Sequence, residues 1–531
     1  MGENHVFLIS NTPHDVVFIE GNKINNWNKV WFFMPYSNDH TYPNTINYLK
    51  KLKCVNNIAY NDDGVWCIST PDKYYGFIVY EGIYAEYKNN TVEGIKIDFR
   101  TDGTNKVAMY DAYLSATTVV YENNVNRNNI SVIADLIEQC PNFFKSKNVP
   151  IGYGKRYCRN NIFVIDKEWV VNLLGSDLSP YTLTNKLYEF ESPIDEFVFE
   201  GNYIKCVNVK LSQQNYQACV IKNFLFKNNI IEADTIDGHV YQVVVDDVVE
   251  NITIDNNTLK ELKQPKSNYK KLGFLQVGKK NNPDVKYIKD VSITNNTIIG
   301  YYLECVIRGQ DIYRPDTIIF NNMKYANNTI KSLSNTVASD RGQILMFDNA
   351  KGELGFTINK LDSYNNVYHF ENANNIPTYY MRIPVKEINN SYELTCKPNR
   401  SISLIAFTGD LNCDREYTVN LKITLSNKNN LFEELNTSLK YSYSSVDGRN
   451  KISFKDERQV LREALLVKHT DTNHNSFHGY QIATKETSEN TLTFFNSSDH
   501  GVLFSEIVLN INGVTSSNTD FNKIKVEINT I

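Results

Sequence analysis

The chain has 531 residues, a formal net charge of −5, and 41% hydrophobic and 12% aromatic residues, a length that accommodates about two to four domains with a large interior. The mildly acidic balance offers no basic field for a nucleic acid. No apolar run approaches the roughly 18–20 residues of a membrane span.

The N-terminus, MGENHVFLIS, lacks a basic segment followed by a long apolar run, so no secretory signal is read there. All four tryptophans (Trp27, Trp31, Trp66, Trp169) fall in the first third. That shift marks residues 1–95 as a separate head, expected to be α+β. Strand-like pieces (VFLIS, DVVFIEG, KVWFFMP, YGFIVYEG) surround one expected helix at Thr45–Cys54. A strand and an Asp-Gly turn follow from Ile95, then a helical pattern over Asn105–Thr117. SVIADLIEQC reads as a helix capped by Ser131, and Asp166 would cap another over Lys167–Leu174. Asn128-Asn129 and Asn160-Asn161, each followed by Ile, fit early chain corners.

From Ile194 to Tyr368 one short pattern recurs: IDEFVFEGNYI, IKNFLFKNNII, VENITIDNNTL, IKDVSITNNTI, FNNMKYANNTI and INKLDSYNNVY. Apolar residues two apart are followed by Asn-Asn (Gly-Asn in the first copy) and then by an aliphatic or aromatic position. The second Asn is Asn202, Asn229, Asn257, Asn296, Asn328 and Asn366, in irregular steps from 27 (Asn202 to Asn229) to 39 residues (Asn257 to Asn296). Period 2 predicts half-buried strands. The Asn can take a left-handed backbone and bend the chain. Stacked on its counterpart one coil away, its amide can also bond up and down a ladder. Fixed strands with variable filler predict a solenoid.

After about Asn375 the pattern stops. Residues 385–531 give short alternating runs such as SISLIAFTGD, YTVNLKITLS and NKIKVEINTI, expected to form an antiparallel β-sandwich. One charged stretch, Asp456–His469, reads as starting a helix. The nine cysteines are odd in number, scattered singly and without CxxC pairs, which argues against a disulfide framework or a zinc site and for a reducing site of synthesis. No motif calls for a cofactor. The 34 tyrosines suit both strands and sugar stacking.

The repeats over Ile194–Tyr368 resemble the right-handed parallel β-helix of pectate-lyase-like proteins, especially bacteriophage tailspikes and capsule depolymerases. The strand, Asp-Gly turn and expected helix after Ile95 are similar to the entry of such coils, although Asn105 and Lys106 replace the acidic residues usual there. The expected architecture is mainly β: a head over 1–95, a β-helix over 96–384 with helical insertions near 131–180, and a sandwich over 385–531. The resemblance implies a virion protein made in the host cytoplasm that binds a bacterial surface polysaccharide, capsule or O-antigen, and depolymerises it. It further implies a homotrimer, a head that attaches to a phage tail or baseplate, and a C-terminal region that trimerises the chain or binds glycan. Two alternatives stay open: a non-enzymatic receptor-binding or structural virion protein, and a bacterial polysaccharide lyase or glycosidase.

A coil presents its outer face to a long polymer. A second set of strands follows the corners: Val240–Asp247, Gly273–Lys280, Tyr302–Asp311 and Gly342–Ala350. With Val243, Leu275, Cys305 and Met346 inward, Gln242, Gln276, Glu304 and Phe347 face out. Hydrolysis needs two carboxylates roughly 5 Å apart for retention or roughly 6.5–9.5 Å apart for inversion. Asp246, Asp247 and Glu304 are the candidates, with Asp234, Asp237, Asp311 and Asp340 on adjoining loops. Lyase chemistry on a uronate needs a base and a cation for the enolate-like intermediate; His239, Tyr241 or Tyr302 with Arg308 or Arg341 would serve. Gln242, Gln276, Gln343, Arg341 and Asp311 are the expected substrate-binding residues. Each acid is equally at home as a solvated turn residue.

Overall fold

The computed structural model of the protein describes residues 5–10, 16–25, 29–34, 49–60, 66–67, 81–93, 96–97, 110–113, 115–128, 131–135, 154–164, 166, 188–190, 194–206, 210–213, 221–233, 241–244, 249–262, 272–277, 287–301, 307–309, 318–333, 356–370, 385–395, 401–410, 416–426, 432–444, 449–455, 461–466, 478–483, 491–497, 502–510 and 523–530. Every described element is a strand. No helix among the described residues is long and apolar enough to cross a membrane. The chain divides into two compact units, Met1–Tyr269 and Lys270–Ile531.

The first unit is a parallel β-helix with three strand rows. The long row stacks Val16–Glu20, Leu49–Val55, Glu81–Lys88, Ser115–Glu122, Gly154–Arg159, Ile194–Glu200, Ile221–Lys227 and Val249–Asp255, each parallel to the next. Two residues after each strand comes a short one, and these stack in the same order from Lys23–Asn25 to Thr258–Glu261. A third row contains Tyr110–Tyr113, Ser131–Asp135, Tyr188–Phe190, Lys210–Gln213 and Tyr241–Val244.

Alternation along the long row places every second side chain inside. Leu52, Val119, Phe197, Phe224 and Ile252 occupy one interior column, and Cys54, Tyr87, Tyr121, Cys158, Phe199 and Phe226 the next, all nearly sealed from solvent. Rings continue from coil to coil: Tyr87 on Tyr121 at 5.0 Å, Tyr121 on Phe163 at 6.1 Å, Phe163 on Phe199 at 6.5 Å, Phe199 on Phe226 at 5.2 Å. The thiols of Cys54 and Cys158 are buried and accept amide hydrogens of Asn57 and Asn161.

The corners divide their work between two residues. The first takes a left-handed φ of 52–57° at Asn56, Asn89, Asn123, Asn160, Asn228 and Asn256. Glycine replaces it at Gly21 and Gly201, with φ of 69° and 67°. A Cβ on Gly201 would strike the amide oxygen of Asn160 below it, so an Asn there would have to push that side chain aside. The second residue is an Asn that is 0–1% exposed at Asn57, Asn90, Asn124, Asn161, Asn202, Asn229 and Asn257. Each such Oδ1 accepts both the main-chain N–H and the amide N–H of the Asn one coil earlier. For Asn161 and Asn202 the distances are both 2.9 Å. The other amide hydrogen goes to a strand carbonyl, as from Asn202 to Cys158 O at 3.0 Å. A buried amide is tolerated here because all its capacity is used.

The second unit repeats the device. Tyr287–Thr294, Ile318–Ala326 and Phe356–His369 stack in parallel, with left-handed Asn295, Asn327 and Asn365. Asn296 donates to Asn328 Oδ1 and Asn328 to Asn366 Oδ1, all at 3.0 Å. Val385–Thr395 adds one more parallel strand. Lys523–Thr530 then pairs antiparallel with it and with Glu416–Ser426. Antiparallel strands continue through Phe432–Ser444, Arg449–Lys455 and Leu461–Leu466. A second antiparallel sheet joins Ser401–Asp410, Val502–Asn510, Thr491–Ser497 and His478–Ala483.

Several expectations are corrected. Within the stretch 1–95, expected as an α+β head, Val16–Glu20, Leu49–Val55 and Glu81–Lys88 are rungs of the same coil, which is therefore under way by Val16 rather than starting near residue 95. Leu49–Val55, expected within a helix, is a strand. So are Tyr110–Tyr113 and Ser131–Asp135, which fall within other expected helices, and Leu461–Leu466, which follows the helix start expected at Asp456, while Ser115–Glu122 contains the β run expected after Thr117. Short apolar segments satisfy both periods, and pairing with the neighbouring coil decides the outcome. The fourth corner lies at Asn123-Asn124, not Asn128-Asn129. Asn128 is nonetheless left-handed, and its Oδ1 accepts the main-chain N–H of Asp166 at 3.0 Å. The helix expected over 167–174 lies outside the described residues.

Candidate functional site

The third strand row carries the part of the expected site that the structure describes. Register sets Lys210 beside Gln242 and Leu211 beside Val243. One rung earlier Glu189 lies beside Ser212 and Tyr188 beside Leu211. Lys210, Ser212, Glu189 and Gln242 therefore share one parity, opposite to Tyr188, Leu211 and Val243. In the second unit Gln276 lies beside Arg308 and Leu275 beside Ile307. Rungs are about 4.8 Å apart, so residues distant in sequence line one strip at the repeat of the coil.

Gln242, Gln276 and Arg308 are thus on described strands, and Arg308 and Gln276 are brought side by side. Asp246, Asp247, Glu304, His239, Tyr302, Gln343, Arg341 and Asp311, with Asp234, Asp237 and Asp340, lie outside the described residues, as does the strand expected over 342–350. Sequence reasoning missed Glu189, Lys210 and Ser212. Their signal was the alternation in YEF and KLSQ, three- and four-residue runs too short to stand out before the register was known.

The outward face of the long row in the first unit carries a second set of polar groups. Tyr84 Oη donates to Glu86 Oε2 at 3.0 Å. Lys88 Nζ contacts Glu86 Oε1 at 3.5 Å and Glu122 Oε2 at 3.0 Å, and Lys53 Nζ lies 3.7 Å from Glu86 Oε2. The bond to Glu122 raises the pKa of Lys88, so the ammonium is held charged between two carboxylates. Two coils on, the Arg159 guanidinium lies 4.5 Å from the ring of Tyr157 and its Nε 3.7 Å from Glu200 Oε2. Burial, then the bond to Glu196, raises the phenol of Tyr157; burial, then Glu86, does the same at Tyr84. On the short row Tyr203 Oη donates to Glu232 Oε2 at 2.9 Å.

From Glu81–Lys88 onward the last position of each long strand in the first unit forms a column: Lys88, Glu122, Arg159, Glu200, Lys227 and Asp255 follow one another in register. Their signs alternate without a break. Among the described residues no group of three or more His, Cys, Asp or Glu side chains converges to hold a metal ion.

No family model matches the chain, and no curated protein matches it. Among solved structures it is similar to a tailspike protein of Acinetobacter baumannii bacteriophage Fri1, a capsular polysaccharide depolymerase, with 8% identity over 96% of this chain and 79% of that one, TM-score 0.27. It is similar to the tailspike protein of E. coli bacteriophage HK620 in complex with a hexasaccharide, with 10% identity over 97% and 86% of the two chains, TM-score 0.27. A third is the Acinetobacter baumannii phage AM24 tailspike protein, with 10% identity over 91% and 67%, TM-score 0.16. At these scores the likenesses carry no argument, and the β-helix stands on its own strand register.

Proposed function

We propose that this chain is a tailspike-like virion protein of a phage that binds a bacterial surface polysaccharide, capsule or O-antigen, and depolymerises it. The observation that supports the reading is the third strand row, where polar residues of one parity recur in adjacent rungs. A rigid strip with a fixed short repeat suits a linear polymer better than a small molecule. In this reading Gln242, Gln276, Gln343, Arg341 and Asp311 hold the glycan. A hydrolase would use two of Asp246, Asp247 and Glu304, one protonated to release the leaving oxygen. A lyase would use His239 or Tyr302 as base, with Arg308 holding the carboxylate of the uronate. The protein acts as a homotrimer joined to the phage tail or baseplate through its N-terminal coils.

A non-enzymatic reading, in which the coil is a receptor-binding or structural spacer, draws on the ion pairing of Glu86, Glu122 and Glu200. Carboxylates already matched to cations stiffen a surface.

The test is incubation of the purified protein with a panel of capsule and O-antigen polysaccharides, following reducing ends and the ultraviolet absorbance of unsaturated uronate together. New reducing ends with that absorbance identify a lyase; without it, a hydrolase. Binding to cells with neither signal supports the spacer reading. Absence of binding to any polymer or cell overturns the proposal.

A further inference from the structure

One patch on the long row is built for something other than stability. Phe18, on the first described rung, leaves 62% of its surface in water. It lies in register with Lys53, and Lys53 with Glu86. The Lys53 ammonium is 5.8 Å from the Phe18 ring centroid. In the adjacent column Lys51 is in register with Tyr84 and holds its ammonium 5.2 Å from that ring. Two rings and two ammonium groups therefore share one outward sheet face within three rungs, about 10 Å of coil.

Neither ring is explained by the core. A Phe so exposed gives up most of the roughly 1.5–3 kcal/mol that its burial would contribute. The charges are not fully matched either. Lys53 shares Glu86 with Lys88, while Lys51, among the described residues, has the Tyr84 ring and no carboxylate beside it. An aromatic face stacks on the apolar face of a pyranose, and an adjoining cation pairs with an acidic substituent.

We propose that Phe18, Lys51, Lys53 and Tyr84 form a saccharide subsite for an acidic sugar, one bearing a carboxylate such as a uronate or a sialate. It rests on the polysaccharide-binding reading above and narrows it to an anionic polymer, gripped at the first coils as well as along the third row. Glu86 orients Tyr84 by accepting its hydroxyl hydrogen, which leaves the ring in place as a platform.

The experiment is affinity electrophoresis of the full chain through gels containing uronate- or sialate-bearing capsule polysaccharides, or their carbodiimide-reduced neutral counterparts. Wild type is compared with Phe18→Ala/Lys51→Gln and with Lys360→Gln, which removes one exposed lysine of the second unit. Phe18 and Lys51 both project from the surface, so the double variant keeps the wild-type melting temperature. The proposal expects stronger retardation by the acidic form, a loss of about tenfold in affinity for it in the double variant, and no change in Lys360→Gln. Equal retardation of wild type and double variant overturns the subsite and leaves the polysaccharide reading intact. Equal retardation by acidic and reduced polymers also overturns the subsite. Absence of retardation of wild type in every gel overturns both.

Discussion

Each corner sets two asparagines side by side, and their surroundings make them opposite kinds of residue. On the inner side Asn57, Asn90, Asn124, Asn161, Asn202, Asn229 and Asn257 are shut away from water, and their amide groups meet partners one coil away. On the outer side Asn56, Asn89, Asn160, Asn228 and Asn256 carry the left-handed turn, and their amide contacts are exposed, as from Asn256 to Asn228 at 2.8 Å. The inner column is held by polar satisfaction in a dry interior, and the outer one by backbone conformation with amide bonds that water can replace. The same side chain therefore contributes several kcal/mol in one position and about one in the next.

The largest expected effect breaks the inner side. Asn161→Ala deletes the acceptor of Asn124 N and Nδ2 and the donor to Tyr121 O and Asn202 Oδ1. Leaving these buried groups unpaired costs about 5 kcal/mol, at about 1–3 kcal/mol for each group lost. Denaturant midpoints should fall accordingly; a loss below about 1 kcal/mol would mean that water replaces the ladder. Next comes the ring column beside it. Tyr121→Ala removes a ring stacked at 5.0 Å on Tyr87 and 6.1 Å on Phe163, for a cost of about 4 kcal/mol, read by the same titration. On the outer side Asn160→Ala should cost only about 1 kcal/mol, the penalty of a left-handed L-residue without a helpful side chain, and Asn160→Gly should be close to neutral. Equal losses for Asn160→Ala and Asn161→Ala would erase the distinction.

The contrast also explains what was legible beforehand. The second Asn of all six repeated pairs, from Asn202 to Asn366, is a member of the buried ladder, because the dipeptide and the alternation before it are both demanded by the corner. Four earlier corners went unread. At Asn57, Asn90 and Asn124 the inward residues before the pair are Leu52 and Cys54, Ala85 and Tyr87, Val119 and Tyr121, and Cys, Ala and Tyr give a weaker apolar signal than the phenylalanines of IDEFVF. Glu-Gly-Asn at residues 20–22 repeats residues 200–202 and was the available signal for the first. Inside the helices expected at 45–54, 105–117 and 131–140, and after the helix start expected at Asp456, the described segments are strands for a different reason. Each is short and takes its hydrogen bonds from another coil or strand, and local periodicity does not report that partner. The chemistry was least legible. Strand alternation assigns parity within one strand, but which rungs adjoin depends on loops of unequal length, so the pairing of position 308 with 276 and of 242 with 210 emerges only from the register.

The alternating column outside the corners gives a smaller effect with a sharper signature. Glu122 lies between Lys88 and Arg159 in register, so Glu122→Lys would set three cations in a row. These side chains are roughly a quarter exposed, and the cost should be about 1 kcal/mol and shrink with added salt. Pairing Glu122→Lys with Lys88→Glu restores that one contact and should recover part of it. An effect unchanged by salt would place the cause in packing rather than charge.

The smallest effect is a slope with pH, and its sign follows from groups on both sides of the corner. Burial raises the Cys158 thiol well above its ordinary 9.0 on the inside. On the outside, burial and then Glu86 raise the Tyr84 phenol above 10.0, and the bond to Glu122 raises Lys88 above 10.5. In every case the folded chain holds its proton more tightly than the unfolded one. The associated stability is complete below the unfolded values and is lost as pH climbs past them. Melting temperature should therefore stay level through neutral pH and begin to decline near pH 9.0, where the unfolded thiol ionises. Cys158→Ala should delay the onset toward pH 10.0, where the tyrosines begin to contribute. A decline with the wild-type onset in that variant would remove the buried thiol from the account and leave the exposed face as its whole source.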